Sequence, residues 1–493
     1  MSVVADRFSR AMRPLGGGAI CAAAVWLAAC TTVGPDYRQP DDAVAAKPEA
    51  AAPFEGARSS RRSGDAPTAG PYSQAPLPAH WWRLYDDPLL DQLVAQALAS
   101  NTDLRQAAAN LERVEALETE VQGASQPAIA VNGGPSYGHV SGLSLLQPGA
   151  VPPNAFHYSA GAAVSYQVDL FGQLRRASEA AHASTESASA ALDLVRVSVA
   201  AGTARAYADV CSLGLRLQSA RKSAELQQEA VEASQRLQQA GRVSAIDVSR
   251  AKSQAQQLLA ALPPLKAQRE GAVYRLAVLT GTPPQAFSRE VADCVAPPQL
   301  AGAVPVGDGA EMLRRRPDVR QAERELAATT ARIGVAVADR YPKITLGLAA
   351  SSAGTAAGFG RSDTFAWSLG PLISWTLPNT GIVDARIAQA EAGTRMAAAK
   401  FDGTVLAALR ETETALSAYA HELDRHASLR ASRDEASTVA EQARRMYRGG
   451  KVGYLDALDA ERSLAASEAA LAASDAELVT DQVTLFLALG GGW

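Results

Sequence analysis

The sequence has few of the residues that catalytic and metal centres require. Its 493 residues include six histidines, five methionines and four cysteines, and no CxxC pair or other metal-ligand spacing occurs. No nucleophile, base and acid stand in a recognisable catalytic pattern either. We therefore predict that the chain is not an enzyme and holds no metal and no dissociable cofactor. The spacing of Cys211 and Cys294 neither supports nor excludes a disulfide between them.

An excess of basic charge is also missing. The chain carries 47 Lys and Arg against 51 Asp and Glu, a formal net charge of -4, without a basic patch that could neutralise a phosphate backbone. We therefore predict no nucleic-acid partner. Aromatic residues make up only 5% of the sequence, whereas alanine, serine and glutamine are abundant, a composition that lets helices pack closely.

The N-terminus lacks an apolar run long enough for a membrane span, because the apolar stretch covers only residues 15–27. Arginines precede this stretch, as in a secretory signal peptide. The stretch ends in Leu27-Ala28-Ala29-Cys30, which resembles the bacterial lipobox, where the signal is cut before a cysteine that carries lipid. We predict a signal peptide over residues 1–29 and a covalent palmitoyl/diacylglyceryl lipid on Cys30. The alternative is an ordinary signal peptide with an incidental cysteine.

Such a lipid would anchor the chain to a membrane. Each buried methylene contributes about 0.8 kcal/mol, so acyl chains on both the thiol and the new N-terminus give a stable anchor. By resemblance to the sorting rules of enteric bacteria, Thr31 after the cysteine favours the outer membrane. Residues 40–78 are rich in Ala, Pro, Ser and Gly without apolar periodicity, so we expect residues 30–80 to be an extended, lipid-anchored tether.

The chain beyond residue 80 contains an internal repeat. Leu104-Arg105-Gln106-Ala107 recurs as Val319-Arg320-Gln321-Ala322, at an offset of 215 residues. Further along, the offset is 209 and the matched residues are Arg236, Gly241, Val243 and Asp247 with Arg445, Gly450, Val452 and Asp456. We therefore predict two copies of one unit, over residues 81–300 and 301–493.

Each copy contains two candidate strands, over residues 127–170 and 342–378. In the second strand of each copy apolar residues alternate with small or polar ones, as in a wall with unlike faces. The apolar positions are Tyr158, Ala160, Ala162, Val164, Tyr166 and Val168 in one copy and Phe365, Trp367, Leu369, Ile373 and Trp375 in the other. Four strands are too few to close a soluble sandwich. They cannot close a membrane barrel either, because an open sheet edge is not tolerated in lipid.

The barrel must therefore be shared between chains. Two chains would give eight strands with a filled interior, whereas three give twelve strands with room for a lumen. We predict a mixed α+β membrane protein whose trimer forms a 12-stranded transmembrane β-barrel, with four strands from each chain.

A long helical hairpin is expected after each strand pair, over residues 173–280 and 380–488, because both stretches are rich in helix formers. Heptad-like stripes predict coiled coils near both turns. In the first hairpin these are Leu226, Ala230, Ala233, Leu237 and Ala240 on the outgoing arm and Val248, Ala251, Ala255 and Leu258 on the return arm. In the second they are Ala436, Ala440, Ala443 and Tyr447. An outgoing arm over residues 173–240 would be on the order of 100 Å long, which suits it to crossing a periplasm.

Several short segments together resemble the TolC-like outer-membrane efflux family, in its lipoprotein branch with OprM- and NodT-type proteins. They are Cys30-Thr31-Thr32-Val33-Gly34-Pro35-Asp36-Tyr37, Trp81-Trp82, Tyr85-Asp86-Asp87-Pro88-Leu89-Leu90, Val168-Asp169-Leu170-Phe171-Gly172, Arg315-Arg316-Pro317-Asp318-Val319 and Ile373-Ser374-Trp375. The resemblance implies a homotrimer in outer-membrane lipid, continued by a periplasmic α-helical barrel that is closed at its tip. It also implies two partners, a periplasmic adaptor (membrane fusion) protein and an inner-membrane transporter of the resistance-nodulation-division (RND) kind.

The same resemblance assigns roles to the two turns. The tip residues that would meet the adaptor are Gly241, Arg242, Val243 and Ser244 with Gly450, Lys451, Val452 and Gly453. Glycine suits a tight turn for structural reasons alone, and the family often has an apolar residue where Arg242 and Lys451 stand. Asp456 and Asp459 match the acidic periplasmic gate, in which three chains would place two stacked carboxylate rings. The structural alternative is that an Asp in the first helical turn interacts with the helix dipole.

These features favour an outer-membrane exit channel of a tripartite RND-type efflux pump that passively conducts drugs or other small molecules. One alternative is the outer-membrane duct of a type I protein secretion system, against which the lipobox argues. The other is a lipid-anchored coiled-coil scaffold without a pore, which leaves the alternating aromatic strands unexplained.

Overall fold

The computed structural model describes residues 32–59, 71–141, 148–149, 151–287, 290–300, 302–375, 377 and 380–491. The predicted signal peptide and Cys30 lie outside these residues. Among the described residues, no helix combines the length and the apolar composition that crossing a membrane requires.

Helices form most of the described chain. They are α1 Pro48–Ala51, α2 Glu55–Ser59, α3 Pro88–Ser100, α4 Thr102–Gly123, α5 Gln173–Gln239, α6 Ala245–Ala260, α7 Leu262–Leu279, α8 Gly309–Arg315, α9 Pro317–Ala338, α10 Thr380–Arg448 and α11 Tyr454–Ala488. The strands are β1 Tyr72–Ser73, β2 Ala128–Gly138, β3 Ala155–Val168, β4 Val304–Pro305, β5 Lys343–Thr355 and β6 Phe365–Ser374. Short 3₁₀ helices cover Val44–Ala46, Trp81–Tyr85, Pro284–Ala286, Glu290–Asp293, Ala356–Gly358 and Ser362–Thr364.

The order of two helices, two strands and a helical hairpin occurs twice along the chain. The first occurrence runs from α3 to α7 and the second from α8 to α11. The hairpin boundaries keep one offset: α5 and α10 end at Gln239 and Arg448, and α7 and α11 end at Leu279 and Ala488, each pair 209 residues apart. The return arm is split into α6 and α7 in the first hairpin and is continuous in the second.

The chain divides into two compact units. The strand unit contains the described part of residues 1–39 together with 113–186 and 324–399. The helical unit contains residues 40–112, 187–323 and 400–493. The long helices α5 and α10 each begin in the strand unit and end in the helical unit.

Aromatic packing and one arginine hold the helical unit together. Trp81 is fully buried and stacks on Phe486 of α11 with ring centroids 4.7 Å apart. Buried Arg316 donates to the carbonyl oxygen of Ala488 at 2.8 Å and to the carboxylates of Asp318 and Glu411 at 2.7 and 2.9 Å. This arginine therefore fastens the start of α9 to α10 and to the end of α11, which gives the Arg-Arg-Pro-Asp segment a structural role.

Each hairpin has a core of small residues near its turn. The second hairpin packs Ala440 and Ala443 against Ala457, Ala460 and Leu464, with Ala436 and Tyr447 at the edge, so its predicted stripe is confirmed. The first packs Val231 against Ala251 and Ala255. Its outgoing stripe lies one position away from the predicted one, because the buried residues there are Ala224, Gln227, Val231 and Ser234.

The described part of residues 30–80 is folded, so the prediction of an extended tether is wrong there. Ala50 and Phe54 are buried, and β1 pairs in parallel with β4. The backbone amide of Val44 donates to Asp402 at 2.9 Å, and the Glu413 carboxylate accepts from the amides of Glu55 and Gly56 at 2.8 and 2.9 Å. These contacts join residues more than 350 positions apart in sequence, which local composition does not reveal.

Candidate channel wall, hairpin tips and N-terminal clamp

The sheet of the strand unit has two chemically different faces. Its order is β2-β3-β5-β6, with all neighbours antiparallel, and Val164 pairs with Ile129 on one side and Leu348 on the other. The register therefore places most of the large apolar residues on one face, among them Ile129, Val131, Pro135, Tyr137, Phe156, Tyr158, Val164, Tyr166, Ile344, Leu346, Leu348, Phe365, Trp367, Leu369 and Ile373. Leu372 is an exception, because it pairs with Thr345 on the opposite face. The opposite face carries small and polar residues, among them Asn132, Ser136, Ser159, Gln167, Thr345, Ser351, Ser368 and Ser374.

The apolar face is open in the single chain. Val131 is 80% exposed, and Trp367 and Leu369 are 70% and 71% exposed. An apolar surface of this extent on an isolated chain marks a surface that contacts protein or lipid. The strands contain 11, 14, 13 and 10 residues, and a membrane-crossing strand needs about 9–11 residues.

The two hairpin turns have the same backbone design. Gly241 and Gly450 have φ angles of 65° and 68°, a left-handed conformation that glycine adopts without a Cβ clash. In the first turn the amide of Gly241 donates to Gln238 and that of Arg242 to Leu237, both at 2.9 Å. The second turn repeats the pattern, from Gly450 to Tyr447 at 3.0 Å and from Lys451 to Met446 at 2.9 Å. Both arms thus end in a Schellman motif.

The return arms begin with an acidic cap. In the second hairpin Asp456 accepts a hydrogen bond from the backbone amide of Gly453 at 3.1 Å, and both Asp456 and Asp459 are exposed. The helix-capping interaction is therefore present at Asp456. Since the two aspartates are three residues apart, they lie on neighbouring positions of one helix face.

The first hairpin replaces this acidic pair with an ion pair. The Ser244 hydroxyl donates to Asp247 at 2.7 Å, and the amide of Asp247 donates to that hydroxyl oxygen at 3.3 Å. The Ser244 hydrogen bond is the main cause of a lowered pKa at Asp247. Arg250 lies 3.8 Å from Asp247, at the place where the second hairpin has Asp459. Arg242 and Lys451 are exposed, whereas Val243 and Val452 are half-buried.

The first described residues are clamped in the strand unit where β3 leads into α5. Buried Arg176 donates to the carbonyl oxygens of Val33 and Gly34, both at 3.1 Å, and to the carboxylates of Asp36 and Glu179, both at 2.7 Å. The amide of Val33 donates to Phe171 at 3.1 Å. This clamp was not predicted from the sequence, although Arg176 lies only four residues after Gly172, the last residue of the Asp-Leu-Phe-Gly segment.

Two glycines make the close approach in this clamp possible. A Cβ on Gly34 would lie 2.4 Å from the α-carbon of Gly334, and one on Gly172 would lie 2.3 Å from Thr32. Residues 32–36, which we call the N-terminal clamp segment, are therefore fixed by backbone contacts on several sides.

Comparison with known proteins decides the family. A family model described as outer membrane efflux protein matches residues 93–282 and 310–491. The chain belongs to the outer membrane efflux protein family. Each matched range begins within the first helix of one copy, α3 or α8, and runs past the end of that copy's hairpin.

Relatives cover nearly the whole chain. It is 30% identical to the probable efflux pump outer membrane protein TtgC of Pseudomonas putida, over 95% of this chain and 93% of that protein. It is 29% identical to nodulation protein T of Rhizobium leguminosarum bv. viciae, over 84% of each. The solved structure of the outer-membrane channel OprN superposes with a TM-score of 0.84 at 35% identity, covering 94% of this chain and all of that one.

Membership in the outer membrane efflux protein family confirms the resemblance seen in the sequence. It also confirms the predicted place of the chain in the cell, the outer membrane. The family consists of efflux proteins rather than enzymes.

Proposed function

We propose that three copies of this chain form the outer-membrane exit channel of a tripartite RND-type efflux pump, which passively conducts drugs or other small molecules to the cell exterior. The sheet carries this proposal. Its strands are long enough to cross a membrane, one face is apolar, and in the described structure the edge strands β2 and β6 each pair on one side only. Unpaired backbone groups are costly in hydrocarbon, so β2 of one copy would pair with β6 of the next.

The lumen sets the number of copies. Eight strands from two copies would enclose only side chains, whereas twelve strands from three copies leave an open interior. The small and polar face would line this lumen, and the apolar face would contact lipid. The helical hairpins would continue the channel as an α-helical barrel in the periplasm, where their tips meet the adaptor and the RND transporter.

Lipid on Cys30 would add a fixed anchor. Thr32 follows Cys30 by two residues, which span at most about 7 Å even when fully extended. Because Thr32 packs against Gly172, the N-terminal clamp segment would place the lipid near the junction of β3 and α5. Metabolic labelling with an alkyne-tagged palmitate checks this, since we expect label on the wild type and none on Cys30→Ser.

The gate is assigned to Asp456 and Asp459. Three chains would bring six exposed carboxylates together at the tip, attracting cations and repelling one another. When the tip opens, the carboxylates of the three chains would move apart. When it is closed, the same carboxylates would narrow the passage and restrict conductance.

Single-channel conductance of the purified full-length protein in a planar bilayer tests both the pore and the gate. We expect a small, cation-favouring conductance in the wild type that rises in Asp456→Ala, in Asp459→Ala and most in the double variant. Asp247→Ala is the matched control, since it removes the same type of helix cap from the first hairpin. An equal rise in that control would reassign Asp456 to capping alone, and no conductance in any variant would refute the channel.

A further inference from the structure

A disulfide between Cys211 and Cys294 fixes a short segment of the helical unit. The two α-carbons are 4.7 Å apart, and 83 positions of sequence separate the two residues. Cys294 belongs to residues 290–298, which follow the first hairpin and which we call the strap. The strap is seated by Val291, which is 2% exposed, and by two buried prolines at positions 297 and 298.

A glycine of helix α5 lets the backbone of the strap come close to that helix. Gly214 stands three residues after Cys211, so the two positions share one face of the helix. A Cβ at position 214 would lie 2.1 Å from the carbonyl oxygen of Cys294, a distance that no side chain tolerates. The backbone of the strap therefore approaches α5 as closely as only glycine allows.

Helix α7 holds the strap from the return arm. The Nη2 atom of Arg269 donates to the carbonyl oxygen of Cys294 at 3.0 Å and also to that of Ala292. Burial under the strap lowers the pKa of Arg269. Since Cys294 is bonded to α5 and its carbonyl is bonded to α7, the strap ties the outgoing arm of the first hairpin to its return arm.

The second hairpin has no such device at the matching positions. At the repeat offset of 209 residues, Cys211 corresponds to Ala420 and Gly214 to Leu423. Only the first copy therefore has, on one helix face, a cysteine that bonds to the strap and a glycine that lets the strap backbone come close.

We propose that the strap is a redox-dependent lock: its disulfide with α5 holds the two arms of the first hairpin together when it is formed. The oxidant that forms it is a molecule of the cell envelope that itself carries a disulfide. Cys211 is fully buried in the folded chain whereas Cys294 is half-buried, so Cys294 is the residue that meets the oxidant. Its thiolate attacks one oxidant sulfur and forms a mixed disulfide, releasing the other oxidant sulfur as a thiolate. The Cys211 thiolate then attacks the sulfur of Cys294 and releases the second. The two protein thiols lose two protons and two electrons, and the oxidant becomes a dithiol.

Thiol labelling in intact cells tests whether the lock closes. Cells are quenched with acid, and the full-length protein is alkylated with maleimide-polyethylene glycol before or after reduction. The wild type should gain label only after reduction, and Cys211→Ser/Cys294→Ser should gain none from these positions. The double variant also reports any signal from the remaining cysteines. Label on unreduced wild type above that background would overturn the proposal.

The order of attack has its own test. Cys211→Ser should accumulate a mixed disulfide with the oxidant, seen as a reducible gel band of higher mass, and Cys294→Ser should accumulate less of it. The reverse result would overturn the assignment of Cys294 as the first residue to react.

Hydrogen exchange of the purified protein tests what the lock does. On reduction, peptides covering the strap and the region around Gly214 should exchange several-fold faster, whereas peptides around Ala420 should not change. Gly214→Ala keeps both cysteines and should speed exchange of the strap even without reductant. Unchanged exchange of the strap after reduction would refute the lock, whatever the channel measurements show.

Discussion

The two helical hairpins end at matching residues but hold their arms together differently. The first has a return arm split at Ala261, an ion pair at its tip and the disulfide-bonded strap at its base. The second has one continuous 35-residue return arm, an exposed carboxylate pair at its tip and a larger core of small residues. The backbone plan is thus duplicated while the side chains have diverged. The arms of the first hairpin are joined by a disulfide-bonded strap, whereas the second presents exposed carboxylates at the place of the proposed gate.

The largest expected effect on stability comes from placing a proline in the second return arm, at the position where the first return arm has one after its break. Proline inside a helix removes an amide donor and clashes with the preceding turn, at a cost of about 3 kcal/mol or more. Ala472 is buried in α11 at the position matching Pro263, so we expect Ala472→Pro to lower the unfolding temperature sharply in circular dichroism.

Pro263→Ala is the control for that change. Pro263 stands in the first turn of α7, where a backbone amide has no intrahelical acceptor, so its replacement should change the unfolding temperature little. Similar losses in both variants would contradict the view that proline position is what distinguishes the two return arms.

A smaller effect is expected at Asp481, which the first hairpin replaces with fully buried Ala272. Burial raises the pKa of Asp481 to about 6, with the carboxylates of Glu477 and Glu422 adding to the rise and Arg205 opposing it. The folded chain then binds a proton more tightly than the unfolded chain, whose Asp pKa is about 3.9, so stability increases as the pH falls between these values.

Asp481→Asn should therefore stabilise the protein at about pH 7.5 and have little effect at about pH 3, where the carboxyl group is mostly protonated in both the folded and the unfolded state. The side chain is partly exposed, so we expect a gain of only about 1 kcal/mol. Unfolding temperatures of variant and wild type over one pH series give the measurement. Equal stabilisation at every pH would assign the effect to something other than proton binding.

Effects of the same size or smaller are expected at the two helix caps. Ser244→Ala removes a side-chain cap and should cost about 1 kcal/mol, whereas Gly453→Ser adds one and should gain a few tenths. The pKa of Asp247 should rise in Ser244→Ala, because the serine hydroxyl is the main cause of its lowering. Hydrogen exchange at the first turns of α6 and α11 reports both changes, and exchange unaltered in Ser244→Ala would show that its hydroxyl does not stabilise the turn.

Sequence patterns predicted best where a single local rule governs. Alternation in residues 158–168 and 365–375 gave the faces of the sheet, because side chains of a strand point alternately to its two sides. The glycines at positions 241 and 450 marked the turns, because a left-handed residue ends a helix. Prediction from a local pattern failed in the first hairpin. Small residues occupy several faces of its outgoing arm, so the pattern does not identify the face that packs on the return arm, and Ala230 and Ala233 were wrongly assigned to it.

Ala230 and Ala233 instead line a groove of about 350 Å³ in the helical unit, together with Leu258 and residues of the second hairpin. Gln227 takes the buried position and donates to the carbonyl oxygen of Ala251 at 3.2 Å. A polar residue was not expected in the stripe, and only its hydrogen bond makes the burial favourable.

The sequence by itself determined the repeat, the strand faces, the two glycine turns and the family, since each depends on residue order alone. Only the tertiary structure decided that the N-terminal segment is folded, that Arg176 and Arg316 act as clamps, and that Cys211 pairs with Cys294. All three join residues far apart in the chain, and the free energy of such contacts depends on burial and hydrogen-bond geometry that exist only once the chain has folded.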